Sequence, residues 1–427
     1  MMTRTAIRYG EKLLQLEIPG ERIAYELKPA DPDPVDDPAA ELDRALSAPV
    51  GTPPLRELVQ AGAKIVILGD DATRLTPTHL IVPAVIDELN AGGASDRDIT
   101  LIIATGTHRA MTDEELEDKY GPAVTGRIKV LNHDCMDRGN LVSCGLTRRG
   151  TDIWVNRLVL EADIRIAVGN LVPHHPTGWS GGAKILLPGV AGQYTTGQMH
   201  LLGASEQRLG EIDTPCRQEM EDFARETGLD FIINTVLDSK GRVANIVAGH
   251  FIEAHRQGVR WGRRVFGAPC PGLSDITLSS TWPVDFDLFQ ADKGLFSAAL
   301  TTRPGGEILL LSPCHEGVSP THAEAVDLAR LSDEELLSLA RKRPCPCDPL
   351  SIAEVLYLNS AKKIARVTLV TEGIDAETAR VFNFGHLKPD ELSGYLKERL
   401  ESRPGTSVGL IHNSAETLPV MSVSRPD

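Results

Sequence analysis

From residue 64 onward the chain alternates short, unbroken apolar runs with longer amphipathic stretches. Lys64-Ile65-Val66-Ile67-Leu68 predicts a buried strand, and the following pattern predicts a helix over 79–91 that stops at Gly92-Gly93. Ile99–Ile103 repeats the strand pattern, and a helix is expected from Thr112, where Thr112 and Glu115 have the spacing of a capping box. Ile128–Leu131 and Ile164–Val168 read as further strands. Continuous apolar strands separated by helices imply a mainly parallel sheet covered on both faces, so the fold class is α/β.

Before this region lie two extended runs, Leu13–Ile18 and Ile23–Leu27, and then Lys28–Pro38, whose four prolines and four aspartates predict a loop. A second α/β unit is expected after Gly267–Ser274. Its strands fall near 276–278, 308–311, 367–370 and 408–411, and its helices near 320–342, 350–363 and 389–402. The expected division is therefore 1–268 and 272–427, two α/β domains with the active site in the cleft between them.

The chain has 427 residues and a formal net charge of −15, which argues against a nucleic-acid or anionic-membrane partner. No apolar run approaches the length of about 18 residues needed to cross a bilayer, and no secretory pattern opens the chain. Seven scattered cysteines exclude a disulfide scaffold and suit free thiols in a reducing compartment, so a cytoplasmic enzyme is expected. Neither a G-x-G-x-x-G after a strand nor a Walker A segment occurs.

Ligands of parallel α/β sheets bind beyond the carboxyl ends of the strands, and three such ends here carry polar clusters. The first, Gly69–Pro77, offers Thr73, backbone N–H groups and the Arg74 guanidinium to a small anion, or else a helix cap with a surface ion pair. The second, Ala104–Arg109, places His108 after a glycine turn, where it is a packed residue or an acid/base. The third, Gly169–Lys184, holds His174, His175 and Ser180-Gly181-Gly182 before Lys184, with His200 sixteen residues later. Glycines allow a ligand close to the backbone. A lysine there can carry a cofactor covalently, as in a pyridoxal-phosphate enzyme, or the imidazoles can bind a metal, as in a zinc hydrolase using His174, His175 and His200.

The run Pro173–Val190 resembles the signature of the nickel-pincer lactate racemase family. Asp71-Ala72-Thr73-Arg74, Thr105-Gly106-Thr107-His108, His200 and Gln290-Ala291-Asp292-Lys293-Gly294 match its other motifs in order. The resemblance implies a nickel-pincer nucleotide, Ni(II) pyridinium-3,5-bisthiocarboxylic acid mononucleotide. Lys184 would tether it, Asp71, Thr73 and Arg74 would hold it, and His200 would ligate the nickel. It further implies inversion of the hydroxyl-bearing carbon of a 2-hydroxy acid by proton-coupled hydride transfer, with His108 and His174 as the acid/base pair. Gln290 and Lys293, with help from Arg74, would bind the substrate carboxylate. The expected partners are the small 2-hydroxy acid and the enzymes that build the pincer. A non-catalytic or cofactor-handling relative would not need both histidines. Two departures touch only the substrate side: Phe289 stands where lactate-acting members have tyrosine, and no tryptophan follows Trp282. A larger 2-hydroxy acid or a sugar acid thus suits the sequence as well as lactate.

Overall fold

The computed structural model describes residues 2–204 and 208–421. Two six-stranded sheets organise them. In the first, the strands run in the order 243–249, 231–237, 164–170, 65–69, 99–103, 129–132. All its pairings are parallel except that of 243–249 with 231–237. Ile65–Gly69 is buried along its whole length, as its unbroken apolar sequence requires of a central strand. The flanking helix spans Thr78–Ala91, and the Thr112/Glu115 capping box is formed in both directions.

The second sheet has the order 385–387, 366–370, 302–311, 274–280, 408–411, 23–27, with every pairing parallel. Its outermost strand, Ile23–Leu27, belongs by sequence to the first half of the chain. The hairpin Met2–Tyr9/Lys12–Pro19 likewise buries Ile7, Tyr9, Leu16 and Ile18 against Ile276, Leu278, Leu309 and Leu410. The expected unit 1–268 therefore differs from the structure at its N-terminus: those strands cover an edge and a face of the second sheet. The expected boundary segment also differs, because Gly267–Cys270 is a strand paired with Leu418–Met421. The single helix expected over 320–342 is two short ones, Ala325–Leu328 and Asp333–Ala340, the second started by a Ser332/Glu335 capping box.

Both sheets have a switch in strand order. In the first it lies between 65–69 and 164–170, so the chain leaves these neighbouring strands in opposite senses and opens a crevice at their carboxyl ends. In the second it lies between 274–280 and 408–411, and the strand 274–280 leads to the helix Leu288–Thr301.

Candidate active site

A cavity of about 900 Å³ is lined by residues 70–74, 104–109 and parts of 169–189 from the first switch region and by parts of 283–293 and 315–322 from the second. His108, His174, Lys184, His200, Asp71, Thr73, Arg74, Gln290 and Lys293 all line it.

After the strand Ile65–Gly69, Asp71 turns its carboxylate to His108, with Oδ2 2.7 Å from Nδ1. The Thr73 N–H (3.0 Å) and hydroxyl both donate to Asp71 Oδ1, and Arg74 Nη1 donates to Thr73 Oγ1 at 3.1 Å. Burial pushes Asp71 up, but the His108 bond and charge, with Arg74 and Thr73, outweigh it and hold the carboxyl well below its ordinary range. An ionised carboxylate only accepts, so His108 carries its proton on Nδ1 and leaves Nε2 free. Thr73 is thus committed to Asp71 through both donors, and Arg74 is the cation of this loop.

His174 sits in a two-residue ladder, Pro173–His174 against Gly178–Trp179. The turn depends on Gly178, at φ +73°, where an added Cβ would lie 1.8 Å from the Glu211 carbonyl oxygen. The Thr177 hydroxyl donates to the Trp179 carbonyl at 2.8 Å, so toward His174 Nδ1, 3.3 Å away, it can only accept. Nδ1 of His174 therefore also bears the proton, leaving Nε2 as the lone-pair nitrogen. Burial, reinforced by Lys184, Lys293 and Arg74, pushes His174 well below the usual imidazole range and keeps it neutral. The two histidines are unlike: one is backed by a carboxylate, the other by a hydroxyl among cations.

Lys184 follows Gly181 in the short turn Gly182–Ile185, anchored where Gly182 N donates to Asn234 Oδ1 at 2.9 Å. Burial first, then Arg74, Lys293 and Arg217, push its amine well below the ordinary lysine value, against a smaller opposing pull from Asp71. His200 is in the last turn of the helix Gln193–Leu201. Its Nδ1 is buried without a hydrogen bond, 3.9 Å from Glu354 Oε1. Burial and the charges of Lys184, His175 and His322 bring its pKa down to about 3.

From the second switch region, Asp287 caps the helix Leu288–Thr301 by accepting from Gln290 N at 2.7 Å. Lys293 Nζ donates to Gln290 Oε1, realising the expected i, i+3 pair. Burial and Arg74 pull the Lys293 amine down to about 8, although Asp292, Asp287 and Glu354 oppose them. His175 also borders the cavity, but its ring stacks on Phe296 at 3.8 Å and meets Tyr357 edge-on at 4.9 Å, with neither nitrogen bonded. Among the described residues no group of three or more His, Cys, Asp or Glu side chains could hold a metal, so His174, His175 and His200 do not form a zinc-type set.

Three residues at the site carry no sequence motif: His322 and Glu354 line the cavity, and Asp348 stands behind His322. His322 Nδ1 lies 2.7 Å from Asp348 Oδ2, and Glu354 faces His200. The only signal was Asp348-Pro349, a cap followed by proline at the first helical position.

Among described residues no helix is long and apolar enough to cross a membrane. A family model described as the lactate racemase N-terminal domain matches residues 9–210. The lactate racemase of Thermoanaerobacterium thermosaccharolyticum is 29% identical over 330 residues, 74% of this chain and 76% of that protein. The lactate racemase of Lactiplantibacillus plantarum is 32% identical over 282 residues, 65% of this chain and 66% of that protein. The apoprotein structure of the Thermoanaerobacterium enzyme superposes with a TM-score of 0.85 at 26% identity, covering 98% of this chain and 100% of that one. A crystal structure of a Thermotoga maritima protein, at 21% identity and a TM-score of 0.71 over 92% of this chain and 100% of that one, shares the fold.

Proposed function

The chain belongs to the lactate racemase family of isomerases, and from that premise we propose that it inverts the hydroxyl-bearing carbon of a 2-hydroxy acid in this cavity. The observation that carries the proposal is the gathering of Lys184, His200, His108, His174 and Lys293 around one cavity from loops far apart in sequence.

The residues fit a tethered nickel-pincer nucleotide. An amine whose surroundings push it well below the ordinary lysine value more readily offers the lone pair needed to bond to an acyl carbon, and Lys184 is such an amine. His200 Nδ1 is turned to Glu354, which leaves Nε2 as the ligating nitrogen, and a neutral imidazole is a good donor to nickel(II). When bound, the pincer supplies a reversible acceptor for the hydride of the reacting carbon. The enzymes that build the pincer are accordingly required partners.

The protein's own groups then have separate tasks. Lys293, positioned by Gln290, binds the substrate carboxylate, and Arg74 adds positive charge nearby. One of His108 and His174 takes the hydroxyl proton on its free Nε2 as the carbon becomes a carbonyl. The other, which must first have taken up a proton on Nε2 from solvent, gives that proton to the oxygen when the opposite face is reduced. Inversion needs one such group for each enantiomer. Asp71 serves His108 by fixing its tautomer and supporting its protonated form, while Thr177 fixes the tautomer of His174.

The test is turnover after co-expression with the pincer-building enzymes. Loaded protein should interconvert the enantiomers of a 2-hydroxy acid. His108→Ala and His174→Ala should each lose at least about 100-fold in kcat while keeping nickel. Loss of nickel in either variant would instead give that histidine a ligand role.

A further inference from the structure

Resting on the hydroxy-acid reading above, we infer that His322, backed by Asp348, forms a second polar subsite in the cavity, which takes a hydroxyl group of the substrate beyond the reacting carbon. Inversion itself makes no use of this pair. His322 lines the cavity and is only 7% exposed. Its Nδ1 is 2.7 Å from Asp348 Oδ2, the same arrangement as His108 with Asp71.

Asp348 is not free to turn away. It caps the helix Pro349–Lys362 by accepting from Leu350 N at 3.2 Å and Ser351 N at 3.1 Å. It also accepts from the Ser351 hydroxyl at 2.8 Å and from Gln193 Nε2 at 3.2 Å. Burial raises its carboxyl, but the His322 bond and charge and the Ser351 donors prevail and hold it below the ordinary range. An ionised carboxylate fixes the His322 proton on Nδ1, and the Phe289 ring stacks at 6.1 Å on the imidazole. The remaining nitrogen, Nε2, has no hydrogen-bond partner among the described residues.

The chemistry of the missing partner follows. Nε2 accepts when the ring is neutral and donates when it is protonated, and a hydroxyl satisfies both states. A methyl group satisfies neither, and would leave the nitrogen it covers without a partner, at about 1–3 kcal/mol. A second carboxylate would face the ionised Asp348 behind the ring, and Asp285, Asp287 and Glu316 also line the cavity. The substrate class is therefore a 2-hydroxy acid with at least one further hydroxyl, in preference to lactate.

Two pairs of probes isolate the effect: glycerate against lactate, and threonate against 2-hydroxybutyrate. Calorimetric titration of the cofactor-free protein should show the hydroxylated member of each pair binding about 10- to 100-fold more tightly. In His322→Phe, with its fold checked by circular dichroism, that ratio should collapse to about one. In His322→Gln, which keeps a donor and an acceptor, part of it should return. A ratio of about one in the wild type, or a ratio that survives His322→Phe, would overturn the inference. Turnover by loaded enzyme separates the two levels. A His322-dependent binding preference with no change of configuration would refute the racemase reading and leave the subsite standing. Inversion of lactate and glycerate with equal kcat/KM would refute the subsite and leave the racemase reading standing.

Discussion

Replacing Lys184 by methionine should stabilise the cofactor-free protein, by an amount that shrinks as the pH rises. The perturbation removes an amine held well below its ordinary value by burial and by Arg74, Lys293 and Arg217, and keeps a side chain of similar length. A base with a depressed folded pKa binds fewer protons folded than unfolded. The wild type therefore gains stability with rising pH, from the folded value up to the unfolded value near 10.4. Within that window the slope is at most about 1.4 kcal/mol per pH unit. Between about pH 7.5 and about pH 9 the advantage of the variant should thus fall. Urea denaturation followed by far-ultraviolet circular dichroism, on both proteins at both pH values, measures the double difference. A difference that does not change with pH, or a variant less stable at both, would mean that the folded amine is charged and paired. It would then lack the lone pair required of a tethering nucleophile.

Three further outcomes follow from the same geometry. Asp71→Asn removes the carboxylate 2.7 Å from His108 Nδ1 and should lower kcat/KM about 10- to 150-fold, the loss of about 1.5–3 kcal/mol for a hydrogen bond to a charged group. Because a substitution in the enzyme leaves the equilibrium constant unchanged, the loss must be the same in both directions, and unchanged kinetics would remove Asp71 from the mechanism. Lys293 loses its positive charge as the pH rises through about 8, so kcat/KM should fall on that alkaline limb; a flat profile to about pH 9.5 would exclude it as the carboxylate-binding cation. Gly178→Ala sets a Cβ 1.8 Å from the Glu211 carbonyl oxygen at a φ of +73°, and should cost more than about 3 kcal/mol, read as a lowered Tm. An unchanged Tm would show that the His174 ladder tolerates a different turn.

The α/β class and most strand positions were legible in the sequence because buried parallel strands are written as unbroken apolar runs such as Ile65–Leu68 and Ile308–Leu311. Their neighbours were not. Ile23–Leu27 looks like any short extended run, and nothing local states that it lies beside Val408–Ile411. Gly267–Cys270, with its proline and flanking glycines, has the composition of a linker but forms a strand with a partner about 150 residues away. The break at Ser332 is written in the sequence too: Ser332 and Glu335 have the same capping-box spacing as Thr112 and Glu115. At the site, Lys184, His108 and His174 stood out because strand-end loops and glycine-rich turns announce themselves in one dimension. The carboxylate pairings around the site did not, and Asp71 stood out only as a cofactor contact. Asp71 reaches His108 across 37 residues, Asp348 reaches His322 across 26, and Glu354 meets His200 from another helix. Each of these pairings exists only once the sheets have brought separate loops together.

The most direct measurement is intact-protein mass with nickel content, on protein co-expressed with the pincer-building enzymes. The account predicts a covalent, sulfur-containing adduct that maps to Lys184, about one nickel per chain, and neither in Lys184→Ala. Unmodified, nickel-free protein from cells in which another family member is loaded would contradict it.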